Sequence, residues 1–445
     1  MGQSYDVILK GGTVVNQDGT GERDVAIKDG RIVAISSSIE PLSGAAAKTV
    51  DCKGLHVLPG VIDSQVHFRE PGLTHKEDLA TGSQAAVLGG VTLVFEMPNT
   101  NPLTTNAEAL AEKVATARGR MFSDFAFYVG GTRDNIDEIP QLERLEASAG
   151  MKIFMGSSTG NLLVDDEASL DKIISRISRR AAFHSEDEAR LIDREGVRRA
   201  GDPTSHPEWR DVEVAMISTR RLVRLAEKHR RRVHVLHIST GDEIEFLREH
   251  KAWASVEVTP NHLTLTAPEC YERLGTFAQM NPPVRDAEHQ ARIWKGIRDG
   301  TVDVLGSDHA PHTREEKDHP YPGSHSGMTG VQTLVPIMLD HVNAGRLTLE
   351  RFVDLTSHGP QRIFGLRDKG RTAVGNDADF TIVDMKRRET ITDDKIASKC
   401  GWTPFHGQTV TGWPVMTVIR GRQVMVDGEI LGEAQGDAAR FWEAD

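Results

Sequence analysis

The chain has 445 residues, with 53 Lys and Arg against 65 Asp and Glu, and a formal net charge of −12. Hydrophobic residues make up 38% and charged residues 27%, a globular composition that excludes wholesale disorder. The acidic balance gives no electrostatic footprint for nucleic acid or an anionic membrane, and no apolar run approaches the roughly 18–20 residues of a membrane span. The opening MGQSYDVILKGG lacks the charged-then-apolar order of a signal peptide. Cys52, Cys270 and Cys400 are far apart and odd in number, so neither a disulfide framework nor a Cys-type zinc site is expected. The expectation is a soluble protein in a reducing, cytoplasmic location.

In chain order, residues 5–58 alternate β-rich runs with turns. Val7–Leu9 and Val14–Val15 flank a predicted Gly11-Gly12 turn, and Val25–Lys28 and Ile32–Ile35 flank Asp29-Gly30, a strong hairpin signal. Residues 57–369 read as alternating strands and helices. Strands are predicted at Val91–Phe95, Asp124–Tyr128, Lys152–Met155, Val233–Ile238, Ser255–Val258 and Val302–Leu305. Helices are predicted at Ala107–Ala117, Ala168–Ile177, Glu213–Lys228 and Asp242–Glu249. Such alternation implies a parallel sheet with crossovers. At this length a (β/α)8 TIM barrel leads and a doubly wound sheet is second. Residues 371–432 return to strands, at Phe380–Val383, Val415–Ile419 and Gln423–Val426, with a hairpin turn at Asp427-Gly428. Neither end is long enough for its own core. Residues 1–56 and 370–445 are therefore expected to pair into one small β-sandwich domain beside a barrel of residues 57–369.

Several predicted strands end in polar residues. In Val61–Arg69, period-two alternation puts Asp63, Gln65, His67 and Arg69 on one face and Ile62, Val66 and Phe68 on the other. In a barrel the outer face packs on apolar helices, so the polar set points inward at the C-terminal mouth, where active sites of this fold lie. A hydrogen-bonded plug is the alternative. Arg180–His184 ends in His184, Val233–His237 in His237, and Asp303–Asp308 in Asp308, followed by His309 and His312. The same alternation sends His237 inward and His234 outward among the helices. His and Asp side chains gathered at strand ends suit Zn²⁺. Lys152 lies in the apolar run Gly150–Met155, where a charged lysine costs several kcal/mol unless paired or neutralised. As a neutral amine it can add CO₂ to give a two-oxygen carbamate; a snorkelling or acid-paired lysine is the alternative.

The strings DSQVHFREPGLTHKEDL, EMPNTNP, GMKIFMGSSTG, AFHSED, VHVLHIST, QMNPPVR and LGSDHAPHT, in this order, resemble the cyclic-amide branch of the amidohydrolase superfamily, and within it the dihydroorotase family. The resemblance covers nearly the whole chain. It implies a zinc enzyme of pyrimidine biosynthesis that reversibly cyclises N-carbamoyl-L-aspartate to L-dihydroorotate. One or two Zn²⁺ ions are implied, held by His67, His184, His237 and Asp308 and bridged by carboxylated Lys152. A metal-bound hydroxide is the implied nucleophile and Asp308 the general acid–base. The family's first metal histidine is replaced by Gln65, a neutral and poorer ligand. This leaves three readings: a binuclear site with one loose ligand, a mononuclear site, or a non-catalytic homologue.

The resemblance also assigns Arg69, Asn99 and His312 to a substrate carboxylate, Asn281 to the ring amide and backbone groups of Gly327 to the ring. An Arg69 ion pair with Glu70 or Asp78 is the alternative. Allantoinases, which tend to carry Asn where Arg69 stands, are the runner-up activity. The implied partners are a small carboxylated substrate and further copies of the chain, commonly as a dimer, with an association with aspartate transcarbamoylase left open. The loop from His312 to Met328 reads as a lid.

Overall fold

β-Branched runs broken by Asp-Gly pairs fold as hairpins at both ends of the chain, as their turn chemistry dictates. The computed structural model describes residues 4–40, 48–158 and 162–442. The N-terminal part supplies β1 (Val7–Asn16), β2 (Gly19–Lys28), β3 (Arg31–Ser36), β4 (Lys48–Asp51) and β5 (His56–Pro59). Asp29 and Gly30, at φ of 50° and 75°, both take the left-handed conformation that a two-residue hairpin turn demands. The predicted Gly11-Gly12 turn is not a turn. Both glycines lie within β1, where its register with β2 shifts between Leu9 and Gly12. A Cβ on Gly12 would come within 2.7 Å of Val57, so the strand passes where a side chain has no room.

The barrel follows as β6 (Val61–Val66), β7 (Val91–Glu96), β8 (Asp124–Gly130), β9 (Ser148–Phe154), β10 (Ala181–His184), β11 (Val233–Val235), β12 (Ala254–Val258) and β13 (Val304–Leu305). These eight strands hydrogen-bond in sequence order, all parallel, in a nearly closed barrel. At the β13–β6 seam the ladder gives way to single bonds. The His67 amide donates to the His309 carbonyl at 2.7 Å, and the Ser307 amide to Asp63 Oδ1 at 2.9 Å.

Helices cover the outside, several of them started by a side-chain cap. Asn106 caps Ala107–Ala117 and Asp211 caps Val212–His229. Phe125, Phe127, Ile153, Val233 and Val256 pack outward against Leu110, Ile173, Leu222 and Ile297 of the helices. Inside, Leu93, Phe95, Ala126, Tyr128, Ala182 and Val304 close around Phe364. Ile62 belongs to this inner set, contrary to the alternation expected from the sequence, because the β6–β7 register shifts between Val61 and Ile62 and again between Asp63 and Val66.

The chain then returns through β14 (Phe380–Thr390), β15 (Thr409–Ile419), β16 (Arg422–Val426) and β17 (Glu429–Ile430). β14 pairs with β5, so both chain ends share one nine-stranded sheet and one core, with Val25, Ile27, Val57, Phe380 and Val418 in contact. Residues beyond β17 run back under the barrel, where Asp437 and Ala439 bond the backbone of Phe125. No helix among the described residues is long and apolar enough to cross a membrane.

A buried ionic cluster ties sheet to barrel. Lys369 Nζ lies 2.8 Å from Asp124 at the start of β8, 3.1 Å from Asp377, and against Asp379, while Arg420 also grips Asp124. Burial pushes the Asp124 carboxyl up, but Lys369 and Arg420 outweigh it and hold it below its usual range. Removing the cation leaves Asp379 buried without its ion pair and Asp124 with Arg420 alone, so Lys369→Met is expected to cost about 3–5 kcal/mol in chemical denaturation at pH 7. Because Asp124 titrates below its unfolded value, its contribution is full above about pH 4 and is lost as the pH falls through the folded value.

Candidate active site

Three strand ends leave extended geometry at the same end of the barrel. Arg69, His237 and Asp308 have φ of 64°, 37° and 48°, the left-handed region that costs a side-chain-bearing residue on the order of 1–2 kcal/mol. The twist re-aims each side chain into the mouth. It also overturns the alternation argument for β11. His237 lines the mouth, yet His234 is interior too: it bonds Ser255 at 2.8 Å and Glu257 at 3.3 Å, and its ring meets Phe364. Alternation holds only while the strand stays extended, and β11 stops at Val235.

A cavity opens here. Its wall carries His67, Lys152, His184, His237 and Asp308, together with Arg69, Asn99, Asn281 and Gly327. Gln65 lines it as well. His312 does not; it stands behind Arg69, with Nε2 3.3 Å from Arg69 Nη2.

Burial sets the protonation of the ring. It lowers His67, His184 and His237, leaving neutral imidazoles with lone pairs to offer. His67 Nδ1 is 2.8 Å from Asn99 Oδ1, which can only accept, so Nδ1 carries the proton and the Nε2 lone pair faces Asp308 Oδ1 at 3.3 Å. His184 is held the same way. Its Nε2 donates to Glu186 Oε2 at 2.9 Å, which turns the bare Nδ1 toward His237 Nε2 at 3.1 Å. Burial would raise Glu186, but Arg210, bonded to the same oxygen, and His184 bring it down to about 2.

Lys152 lies among these pairs. Its charge acts on His67, His184, His237 and Asp308 alike, and its Nζ is fully buried without a hydrogen-bond acceptor, 4.4 Å from the Phe154 ring centre. Burial brings its amine down to about 7 against the pull of Asp308 and Glu257. Burial also raises Asp308 to about 6 and Glu257, beneath the cavity, to about 8. Among the described residues, no three His, Cys, Asp or Glu side chains gather closely enough to hold a metal ion by themselves. The donors form two pairs, His67 with Asp308 and His184 with His237, and the neighbour common to both is Lys152. An ammonium cannot ligate a metal; a carbamate on the same nitrogen can. Gln65 donates from Nε2 to Asp308 at 3.0 Å, while its Oε1 has no partner.

Arg69 is not the ion-paired residue that one reading of the sequence allowed. Glu70 bonds Arg120, and Asp78 bonds Lys399. The buried guanidinium donates from Nε to the Pro311 carbonyl at 3.2 Å and leaves Nη1 without an acceptor. Burial lowers it to about 10, so it stays charged. The His312 ring cannot satisfy it. Lys76 Nζ, 3.2 Å away, donates to Nδ1, so the ring proton is on Nε2, which donates to the Ser326 carbonyl at 3.1 Å. The cavity therefore presents a cation lacking an anion.

Several supporting residues escaped sequence reasoning. Glu186 falls in the string AFHSED, two residues after His184, but its partner Arg210 lies in a loop with no motif. His206 bonds Asn281 Oδ1 at 3.0 Å, and His262 bonds the Pro282 carbonyl at 3.1 Å. His262 follows β12 in Thr259-Pro260-Asn261-His262, so the strand-end rule that found His184 and His237 would have found it.

The profile of the amidohydrolase family matches residues 56–424. The chain is 34% identical over 440 residues to a dihydroorotase of Methanosarcina acetivorans, covering 96% of this chain and 93% of that one. It is 33% identical over 452 residues to an L-hydantoinase of Paenarthrobacter aurescens, covering 96% of each. Among solved structures, an L-hydantoinase (dihydropyrimidinase) from Arthrobacter aurescens superposes with a TM-score of 0.92 at 32% identity, covering 98% of this chain and 99% of that one.

Arg210→Met strands Glu186 in the interior. The variant is expected to lose about 3–5 kcal/mol of stability at pH 7. Glu186 then titrates above its unfolded value instead of below it, so the deficit shrinks as the pH falls below about 5. Denaturation curves at pH 7 and pH 4 check both statements.

Proposed function

The chain belongs to the amidohydrolase family, and from that premise we propose that this cyclic amidohydrolase is a dihydroorotase, interconverting L-dihydroorotate and N-carbamoyl-L-aspartate. The observation that carries the reading is Arg69: a buried, charged guanidinium with an N–H group that meets no acceptor, in the wall of the cavity at the barrel mouth. A ring carboxylate is the planar anion that a guanidinium fork matches. A hydantoin without a carboxylate would leave that cation buried and uncompensated, at a cost of several kcal/mol.

The donor set fits a divalent metal once Lys152 carries a carbamate, because each pair then gains a third, anionic oxygen donor. His67, Asp308 and Lys152 would hold one ion and His184, His237 and Lys152 a second; Zn²⁺ suits imidazole and carboxylate donors. When bound, such ions supply a nucleophile at neutral pH and polarise a carbonyl. The remaining work falls to the chain. Arg69 fixes the substrate by its carboxylate, with Asn99 beside it and His312 braced behind. Asn281, steadied by His206, and the Gly327 backbone position the ring amide. Asp308 takes the proton from the attacking water and returns it to the ring nitrogen as the amide C–N bond breaks. Gln65, bonded to Asp308, keeps that carboxylate oriented and is not counted among the ligands.

The test is turnover of N-carbamoyl-L-aspartate by protein supplied with zinc and bicarbonate. Turnover is expected in the wild type and absent in Asp308→Ala; a folded, metal-loaded wild type without turnover refutes the reading. Arg69→Ala is expected to lower kcat/KM for dihydroorotate roughly 100-fold or more, while hydantoin hydrolysis, if present, changes little. An equal loss on both substrates would favour the hydantoinase reading that the Paenarthrobacter relative suggests. Chelation should remove activity, and zinc with bicarbonate should restore it.

A further inference from the structure

The segment from His312 to Met328 contains another buried lysine. Lys317 lies on the short helix Arg314–Asp318, which is started by a capping box between Thr313 and Glu316. Its side chain is fully buried, and its Nζ donates to three backbone carbonyls: Gln279 at 3.1 Å, His325 at 2.7 Å and Gly327 at 3.0 Å. Burial lowers this amine to about 7, but three carbonyls face it and only an ammonium has three N–H bonds to satisfy them, so the geometry holds the charged form. No carboxylate pairs with it among the described residues, and the Trp402 ring centre is 5.7 Å away. This is the opposite of Lys152, which has no acceptor.

The three carbonyls belong to two walls of the cavity. Gln279 begins the run to Asn281, and His325 begins the run to Gly327; Asn281 and Gly327 both line the cavity. The walls also meet directly, where the Gly327 amide donates to the same Gln279 carbonyl at 2.8 Å. Gly327 has φ of 150°, and a Cβ there would stand 2.4 Å from the Ala310 carbonyl oxygen, so the loop has one narrow path. The neighbouring Glu316 reaches the other way, to Lys76 at 2.9 Å, and Lys76 holds the His312 ring behind Arg69. One turn of helix thus sets both sides of the substrate space.

We propose that Lys317 is a positioning residue for substrate binding: its ammonium locks the Gln279–Asn281 and His325–Gly327 walls at the spacing the ring requires. It touches neither the substrate nor the proposed metal ligands, so its loss is read in KM and not in metal content. The inference rests on the dihydroorotase reading, and wild-type turnover of dihydroorotate is the control that separates the two. Absent wild-type turnover refutes the reading; normal wild-type turnover with an unaffected variant refutes the inference alone.

The variant is Lys317→Met, which keeps the apolar stem and removes the three donors. The full chain, loaded with zinc and bicarbonate, is expected to show KM for dihydroorotate raised about tenfold, kcat within about threefold, and unchanged zinc content. Lys317→Gln, which keeps two N–H donors, is expected to fall between wild type and Lys317→Met. If Lys317→Met does not fold, the same split is read on Lys317→Gln against wild type. Unchanged KM in a folded variant, or a fall in kcat with KM unchanged, overturns the proposal.

Discussion

A fully buried amine without an acceptor is the constraint on which this site turns. Lys152 sits on a barrel strand whose other side chains pack on carbon, and no neighbouring carboxylate comes within hydrogen-bonding distance of it. An isolated ammonium there is costly, so its proton is held loosely and the amine is part-neutral near pH 7. The groups around it are arranged to match. His67 and His184 have their outer nitrogens committed to Asn99 and Glu186, so the inner nitrogens bring lone pairs. Convergent lone pairs, a carboxylate and an uncommitted amine describe a place made for cations once the amine has become an anion. In the proposed reading, carbamate formation at Lys152 turns the misfit into a ligand set.

The barrel supplies this arrangement through its irregularities more than its regularity. The seam between β13 and β6 is held by single bonds, which frees Asp308 and His67 to turn inward side by side. Left-handed backbone at Arg69, His237 and Asp308 does the same at three strand ends. The cost is spread over a large outer core and over the ionic cluster that fastens the terminal sheet to β8. That sheet also contributes near the mouth: Trp402, from the connection between β14 and β15, donates its indole N–H to the His312 carbonyl at 2.8 Å.

Much of this was legible in the sequence. Asp-Gly turns located the hairpins, strand–helix alternation located the barrel, and polar residues at strand ends located His184, His237 and Asp308. What failed was parity. The side of Ile62 and of His234 followed from a period of two that the chain abandons at a register shift and at a left-handed residue, and neither leaves a mark in composition. The braces Arg210, His206 and Lys317 were invisible for a different reason. Each sits in a loop or short helix, and Glu186, Asn281 and Gln279, which they hold, lie 24 to 75 residues away, so only the fold makes them neighbours. The choice between a carboxylated and a plain cyclic amide, which relatives named for both activities leave open, narrows on one contact: Arg69 is free of Glu70 and Asp78 because Arg120 and Lys399 have taken them.

The most direct measurement is a zinc-binding isotherm in bicarbonate buffer for the wild type and for Lys152→Met. If Lys152 completes both donor pairs, the wild type binds zinc tightly and loses affinity when CO₂ is stripped from the buffer, and Lys152→Met, folded, binds weakly under either condition. Equal, tight binding by wild type and variant, indifferent to bicarbonate, would contradict the central place given to this amine.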